Sequence, residues 1–476
     1  MSVIRFTQLN CSTSPTQLYP LIGTPGVFGP TVNVGLPLNE TTVADIMKQA
    51  GYDTAITGKW HLGQRLMYLP ASRGFDEYLG IPYSDDMGNA LPPISCDGLS
   101  SWSWPEQVKS DDPAGTHLPL VLQQTDPNDG TINTTVLEQP LNFSTLTSKY
   151  DEFVTSFISR HKDENSNPFF LYLPFSHVHT TSETQPMKQY ASCAFQNTTS
   201  RGPFGDALAE VDSIVGDVVR SLENAGLEEE TLILFSSDNG PWMIQQLSAG
   251  SVGLLYARNA SYWNVGKGST WEGGIREPAF AVWPNKIKAG TRSEETVSSL
   301  DVLPTLARIA NVTLPDDRVY DGKDMLDVLL NDDGKSKHEH LFFYGGASCD
   351  NVKGPSAMRY ERYKIHFATG PGLGGCANCP KVCYCSDPQN DTSCRPLMFD
   401  ILSDPSEAYP LEGDLYESLI SNVLDLYREE LKTFTFGTLV PAPDGPGEGP
   451  GKYGVCCDRK RECNCTPARS GSLNQI

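Results

Sequence analysis

The sequence predicts an α/β fold with a largely parallel, buried sheet flanked by helices, followed by a small C-terminal α+β module. Up to about Leu330, short apolar runs alternate with amphipathic helical stretches, the arrangement that gives parallel sheets covered on both faces. Three of those runs lead into loops holding Lys, His or Asp, and sites in such folds form beyond the carboxyl ends of the strands. Past Leu330 strand-like pieces precede one long helix.

Taken in order, Thr42 is placed to cap a helix whose apolar face is Val43, Ile46, Met47 and Ala50, with Gly51 ending it. A strand is expected over 53–57, then the loop Gly58-Lys-Trp-His-Leu-Gly63. The segment 102–135 is polar and turn-rich and reads as a surface excursion. A second strand, 169–173, precedes His177-Val-His179. A long amphipathic helix follows, its face being Phe204, Leu208, Val211, Val215, Val218 and Leu222, and Gly226 ends it. The third strand, 231–235, leads into Ser236-Ser-Asp-Asn-Gly-Pro241. In the C-terminal module strands are expected at 340–344, 363–367 and 397–401, with a helix over 415–432 and a Pro/Gly-rich irregular loop over 441–451.

Composition narrows the partners. With 36 Lys and Arg against 58 Asp and Glu, the formal charge is −22, which argues against nucleic acid. An anionic substrate is repelled at long range, so its site must be a local cluster of Lys, Arg or His. No run of about 18 apolar residues suggests a transmembrane span. The 13 Cys fall largely in two groups: Cys376, Cys379, Cys383, Cys385 and Cys394, then Cys456, Cys457, Cys463 and Cys465. Cys376-x-x-Cys379 is compatible with zinc, but Asn-x-Ser/Thr sequons at Asn10, Asn39, Asn133, Asn142, Asn197, Asn259, Asn311, Asn390 and Asn464 favour disulfides and an oxidising, secretory compartment. The start, Met1-Ser-Val-Ile-Arg-Phe-Thr-Gln, has no apolar signal region. The expectation is therefore that the natural N-terminus lies upstream.

The loops carry the chemistry. Lys59 and His61 are donors able to hold charge and suit an oxyanion; the plainer alternative is a surface Lys and a His packed on Trp60. Asp238 and Asn239 offer adjacent hard oxygen ligands for a divalent cation, or a simple turn. Of His177 and His179, one suits a general acid. Lys267 lies in Gly266-Lys-Gly-Ser-Thr-Trp-Glu-Gly-Gly-Ile-Arg-Glu-Pro278, where glycines let backbone approach a ligand; there Arg276 and Glu277 could form a structural ion pair.

These motifs resemble those of the sulfatase family. Gly58-Lys-Trp-His-Leu-Gly63, Ser237-Asp-Asn-Gly-Pro241 and Gly266-Lys-Gly-Ser-Thr-Trp-Glu-Gly-Gly274 look like three of its blocks in order, and Gly35-Leu-Pro-Leu38, Gly80-Ile-Pro-Tyr-Ser84, Arg201-Gly-Pro-Phe-Gly-Asp206 and Ser299-Leu-Asp-Val-Leu-Pro-Thr305 are similar to the arylsulfatase A branch. The resemblance implies an alkaline-phosphatase-like large domain over 23–332 and a small Cys-tailed domain over 333–476, with 1–22 a non-homologous leader. It implies a sulfuric ester hydrolase with Ca²⁺ held partly by Asp238 and Asn239. Lys59 and His61 would hold the nucleophile, Lys267 the sulfate, and His179 the leaving oxygen. Ser84 and His177 would line the substrate side. The substrate class would be a sulfated sugar, a sulfolipid or an aryl sulfate, and the location lysosomal or secreted; a homo-oligomer is left open.

The sequence departs from the family in one region. The family's nucleophile is a formylglycine made from the Cys of Cys-x-Pro-Ser-Arg; here the only Cys before Gly35 is Cys11, in Cys11-Ser-Thr-Ser-Pro15, with the Pro displaced and no Arg. The first strand, ending in paired Asp ligands, is also missing, since no Asp precedes Asp45. The Ca²⁺ site is therefore expected to be incomplete, and loss of a central strand to expose sheet edges. One upstream truncation of an active enzyme explains the joint loss; the alternative is a catalytically silent sulfate-binding relative. Phosphodiester hydrolysis is disfavoured by Lys59-Trp-His61.

Overall fold

The structure, a computed structural model, describes residues 27–91, 117–163, 165–181, 189–257, 265–344, 354–370, 382–385, 394–433, 454–457 and 463. Cys11 and the leader, Cys376-x-x-Cys379, Cys465, the 441–451 loop and the sequons at Asn10, Asn259, Asn390 and Asn464 lie outside them.

Helix α1 (Val43–Gln49) begins at Thr42, whose Oγ1 accepts from the Asp45 amide at 3.1 Å while the Asp45 carboxylate accepts from the Thr42 amide at 2.8 Å. This reciprocal cap satisfies two otherwise orphaned donors. Strand β1 (Asp53–Lys59) follows and is buried over all but its first residue. It runs parallel to β2 (Glu77–Ile81) on one side and to β5 (Phe169–Tyr172) on the other. Beyond β2, strands β3 (Leu120–Thr125) and β4 (Ile132–Glu138) add on antiparallel, giving the order β4-β3-β2-β1-β5. Helix α2 (Leu146–Ser159) packs on β1 and on α3 (Gly202–Ala225), which ends at Gly226 in the left-handed conformation.

The α/β class is as expected, with three differences in detail. The 102–135 segment is not wholly a surface excursion, because it contains β3 and enters β4. Leu118, Leu120 and Leu122 alternate into a core with Leu79, Ile81 and Tyr150, a period of two that the polar flanks conceal in the sequence. The strand expected at 231–235 forms as β6 (Ile233–Ser236), but among the described residues it pairs antiparallel with β7 (Ala279–Val282) rather than joining β5. Between β5 and β6 lies a cavity of about 2330 Å³. Third, the apolar face of α3 foreseen from periodicity lines this cavity and is only partly covered: Leu222 and Val218 pack with Val154 and Ile158 and Val211 is buried, but Leu208 is 43% exposed, and the fully buried positions also include Ala207, Glu210 and Ile214.

Short helix α4 (Glu272–Ile275) precedes β7, and α5 (Val302–Ile309) and α6 (Leu326–Leu330) complete the large unit. In the C-terminal module, β8 (His340–Phe343), β9 (Ala357–Tyr360), β10 (Tyr363–His366) and β13 (Leu397–Asp400) form an antiparallel sheet ordered β13-β10-β9-β8, beside a two-stranded ladder of β11 (Ala368–Thr369) and β12 (Val382–Cys383). Helix α7 (Gly413–Thr433) lays Val423, Leu424 and Tyr427 on Met358, Ile365, Phe367 and Met398. Disulfides join Cys385 to Cys394 and Cys456 to Cys463. No helix among the described residues is long and apolar enough to cross a membrane.

Candidate active site

All eight residues singled out from the sequence line one cavity: Lys59, His61, Ser84, His177, His179, Asp238, Asn239 and Lys267. They arrive there from five separate loops, each set by local backbone demands.

The end of β1 is pressed against the turn after β5. A Cβ at Gly58 would stand 2.1 Å from the Pro174 carbonyl oxygen, and Gly58 has φ +128, a conformation open to glycine. The Lys59 amide then donates to that carbonyl at 2.9 Å. On the other side, the Trp60 and His61 amides donate to Ile81 and Pro82 carbonyls at 2.8 and 3.0 Å, aligning this loop with the one carrying Ser84. Lys59 Nζ accordingly donates to Ser84 Oγ at 2.7 Å. Lys59, His61 and Ser84 are 2–3% exposed, and Trp60 is buried with Nε1 donating to the Tyr68 carbonyl. The plainer alternative of a surface Lys does not apply. His61 has φ 62, a left-handed backbone that costs a non-glycine residue about 1 kcal/mol or more and clusters at functional sites.

Across the cavity, His179 Nδ1 donates to the Thr180 carbonyl at 2.8 Å, and Nε2 lies 3.3 Å from Lys267 Nζ. This geometry leaves Nε2 as acceptor from the ammonium. Burial, then the charges of Lys59 and Lys267, push His179 well below the usual histidine range, so its imidazole is neutral. Lys267 Nζ also stands 5.6 Å from the Trp242 ring centroid, a cation–π distance. The Lys267 backbone is fixed by its amide, which donates to the Pro241 carbonyl at 2.9 Å.

His177 plays a different part from its neighbour. Its Nε2 is tied to Glu210 Oε2 at 2.9 Å inside the protein, and its ring lies on Tyr190 at 4.3 Å between centroids. Glu210 also accepts from the Ser192 amide. Burial opposes ionisation of Glu210, but these donors outweigh it and hold the carboxyl below its usual range.

Asp238 and Asn239 stand half-buried past the end of β6. Asn239 Nδ2 donates to the Gly240 carbonyl at 2.9 Å. Among the described residues no three His, Cys, Asp or Glu side chains converge as metal ligands. Two oxygen-bearing side chains fall short of the six to eight oxygens calcium takes, so the described donors do not make a calcium site and no step below runs through a metal. Nearby, Glu277 does not pair with Arg276: the contact of Arg276 is with Glu272, at 3.9 Å. Burial, partly offset by a hydrogen bond from Ser237, pushes the Glu277 carboxyl up to about 7.

Sequence reasoning passed over Trp242 and Glu210, and took Glu277 only as half of an ion pair with Arg276. Trp242 directly follows the Asp-Asn-Gly-Pro turn and could have been found by extending that motif one residue. Glu210 sits beside the apolar stripe of α3, and only its burial reveals its role.

The sulfatase family model matches residues 4–312, and the model of the C-terminal region of aryl-sulfatase matches 336–465. A third, for the C-terminal part of N-sulphoglucosamine sulphohydrolase, matches 263–371. Arylsulfatase A of Bos taurus is 35% identical over 457 residues, covering 94% of this chain and 81% of that protein. Human arylsulfatase G is 33% identical over 456 residues, covering 91% and 80%. Among solved structures, the PsFucS1 sulfatase from Pseudoalteromonas superposes with a TM-score of 0.67 at 24% identity, covering 91% of this chain and 83% of its own; at that identity the likeness concerns the fold.

Proposed function

We infer the function from a premise the matches establish: this chain belongs to the sulfatase family, whose members are sulfuric ester hydrolases. We propose that its cavity binds the sulfate group of a sulfated sugar, sulfolipid or aryl sulfate. The observation that carries this reading is the gathering of Lys59, Lys267, His61 and His179 around one cavity in a chain of formal charge −22. Preorganised cationic donors in a partly dry site are what a sulfate ester and its departing oxygen require.

Lys59, oriented by Ser84, and His61 hold one side of the anion. Lys267 holds the other, and its ammonium shares a proton with the neutral His179, the group we assign to the leaving oxygen. Ser84 and His177 line the substrate side, with His177 kept in place by Glu210. Asp238 and Asn239 would contribute to a calcium site only with ligands from beyond the described residues.

The formylglycine that acts as nucleophile in the family has no matching Cys-x-Pro-Ser-Arg precursor in these 476 residues. The nearest variant, Cys465-Thr-Pro-Ala-Arg469, has Ala in place of Ser and lies outside the described residues. We therefore propose that these residues alone bind sulfate without turning an ester over. The disulfides and the exposed sequons at Asn39, Asn133, Asn197 and Asn311 suit a glycosylated protein of the lysosome or the extracellular space. The test is calorimetric titration with inorganic sulfate beside an assay of 4-nitrophenyl sulfate with added Ca²⁺. Binding without nitrophenol release is expected. Ca²⁺-dependent release by the purified chain would overturn the silent reading, and absence of sulfate binding would overturn the site.

A further inference from the structure

The loop bearing Lys267 is fastened to the C-terminal module at three consecutive residues. Thr270 Oγ1 lies 3.3 Å from His366 Nδ1. The Trp271 ring lies against His366 at 4.3 Å between centroids and near Phe399 at 6.0 Å. Glu272 is held twice, its amide donating to Glu407 Oε2 at 2.7 Å and its carboxylate accepting from Lys364 Nζ at 3.0 Å. His366 Nε2 closes the cluster on Glu407 Oε1 at 2.7 Å. Lys364, His366 and Glu407 are all 0% exposed.

The other end of this loop touches the site. Lys267 hangs from the Pro241 carbonyl, and the Gly240 amide donates to the Gly274 carbonyl at 3.2 Å. A Cβ at Gly240 would stand 1.9 Å from the Gly273 carbonyl oxygen, so the two backbones are in direct contact. A shift of Thr270, Trp271 and Glu272 is therefore passed both to Lys267 and to the Asp238-Asn239 turn.

A buried charge network of this kind is weak evidence for stability, because apolar residues of the same volume often hold a fold as well or better. What apolar contacts do not supply is direction. We propose that Lys364, His366 and Glu407 are positioning residues through which the C-terminal module sets where the Lys267 ammonium and the Asp238-Asn239 turn stand. Resting on the reading of Lys267 as a sulfate ligand, this gives the module a part in placing the Lys267 side of the site. Lys59, His61 and Ser84 are held by β1 and β2 and are independent of it.

That asymmetry supplies the readout. Acetic anhydride labels lysines at rates that mass spectrometry resolves one by one, and inorganic sulfate affinity is read by calorimetry. In His366→Leu, Lys267 labelling should change several-fold with Lys59 labelling unchanged, and sulfate affinity should fall about tenfold. His366→Gln, which keeps a donor towards Glu407, should restore both. If His366→Leu does not fold, Thr270→Val carries the same test, with an expected change in Lys267 labelling alone. Unchanged Lys267 labelling in the folded variants, or equal changes at Lys59 and Lys267, overturns the proposal. Failure of the sulfate reading shows separately, as sulfate binding unaffected by Lys267→Met, while the labelling result still decides the positioning.

Discussion

The strands of the C-terminal four-stranded sheet and those around the cavity are buried to different extents. In the C-terminal module, Met358, Ile365, Met398 and Phe399 are all 0% exposed, and Phe367 stacks on Tyr427 at 3.6 Å between centroids. In the large unit, β1 is equally buried, but β5 and β6 are half-buried along their lengths and face the cavity between them. Each strand needs both a covered face and paired edges, and β5 and β6 each have one paired edge among the described residues. The side of the site built on β1 and β2 is thus held by its own sheet, whereas the side carrying Lys267, Asp238 and Asn239 depends on the module behind it.

The comparison breaks most easily in the module core. Phe367→Ala should cost about 3–5 kcal/mol in urea denaturation, since it removes the stack on Tyr427 from a closed core. Paired truncations sharpen the point: Ile365→Ala should cost about 2–5 kcal/mol, and Ile233→Ala on half-buried β6 under about 1.5 kcal/mol. Equal costs would show that β6 is as well packed as β10. On the functional side, Lys267→Met should weaken inorganic sulfate binding by about 1.5–3 kcal/mol, the worth of a hydrogen bond to a charged group, read by calorimetry. Thr42→Ala should cost about 1 kcal/mol through loss of the cap on α1, checked by the same denaturation assay.

A separate expected effect is a pH slope. The Glu277 carboxyl is raised from 4.5 to about 7 in the folded protein. Its contribution is therefore fully present below about pH 4.5 and lost as pH rises through about 7. Glu277→Gln should flatten that part of the stability curve, so that wild type and variant diverge between pH 5 and pH 8 in thermal melts. Parallel curves would mean that the carboxyl is not buried.

The site was legible wherever a short segment carries both its chemistry and its geometry. Gly58-Lys-Trp-His-Leu-Gly63 contains the glycine that permits the close approach and the two side chains that use it. Asp238-Asn-Gly-Pro241 likewise announces a turn with two adjacent oxygen-bearing side chains. His177 was harder: two residues from His179 and of the same type, it is set apart by Glu210, 33 residues away. The surface role assigned to 102–135 failed at 118–122 for a similar reason, since β3 is recognisable as a strand only once Leu118, Leu120 and Leu122 have Leu79 and Ile81 to pack on.

By itself the sequence determined the α/β class, helices α1, α3 and α7, strands such as β1, β5, β10 and β13, and which loops hold the candidate side chains, because propensity, capping and glycine placement act over a few residues. It also determined that Cys-x-Pro-Ser-Arg does not occur in these 476 residues. Only the tertiary structure decided that β6 stands apart from β5, that the apolar face of α3 lines a cavity, and that Lys364, His366 and Glu407 anchor the Lys267 loop. Those outcomes depend on which distant segments supply edges, cover and counter-charges, and pairing of that kind leaves no periodic trace in either partner.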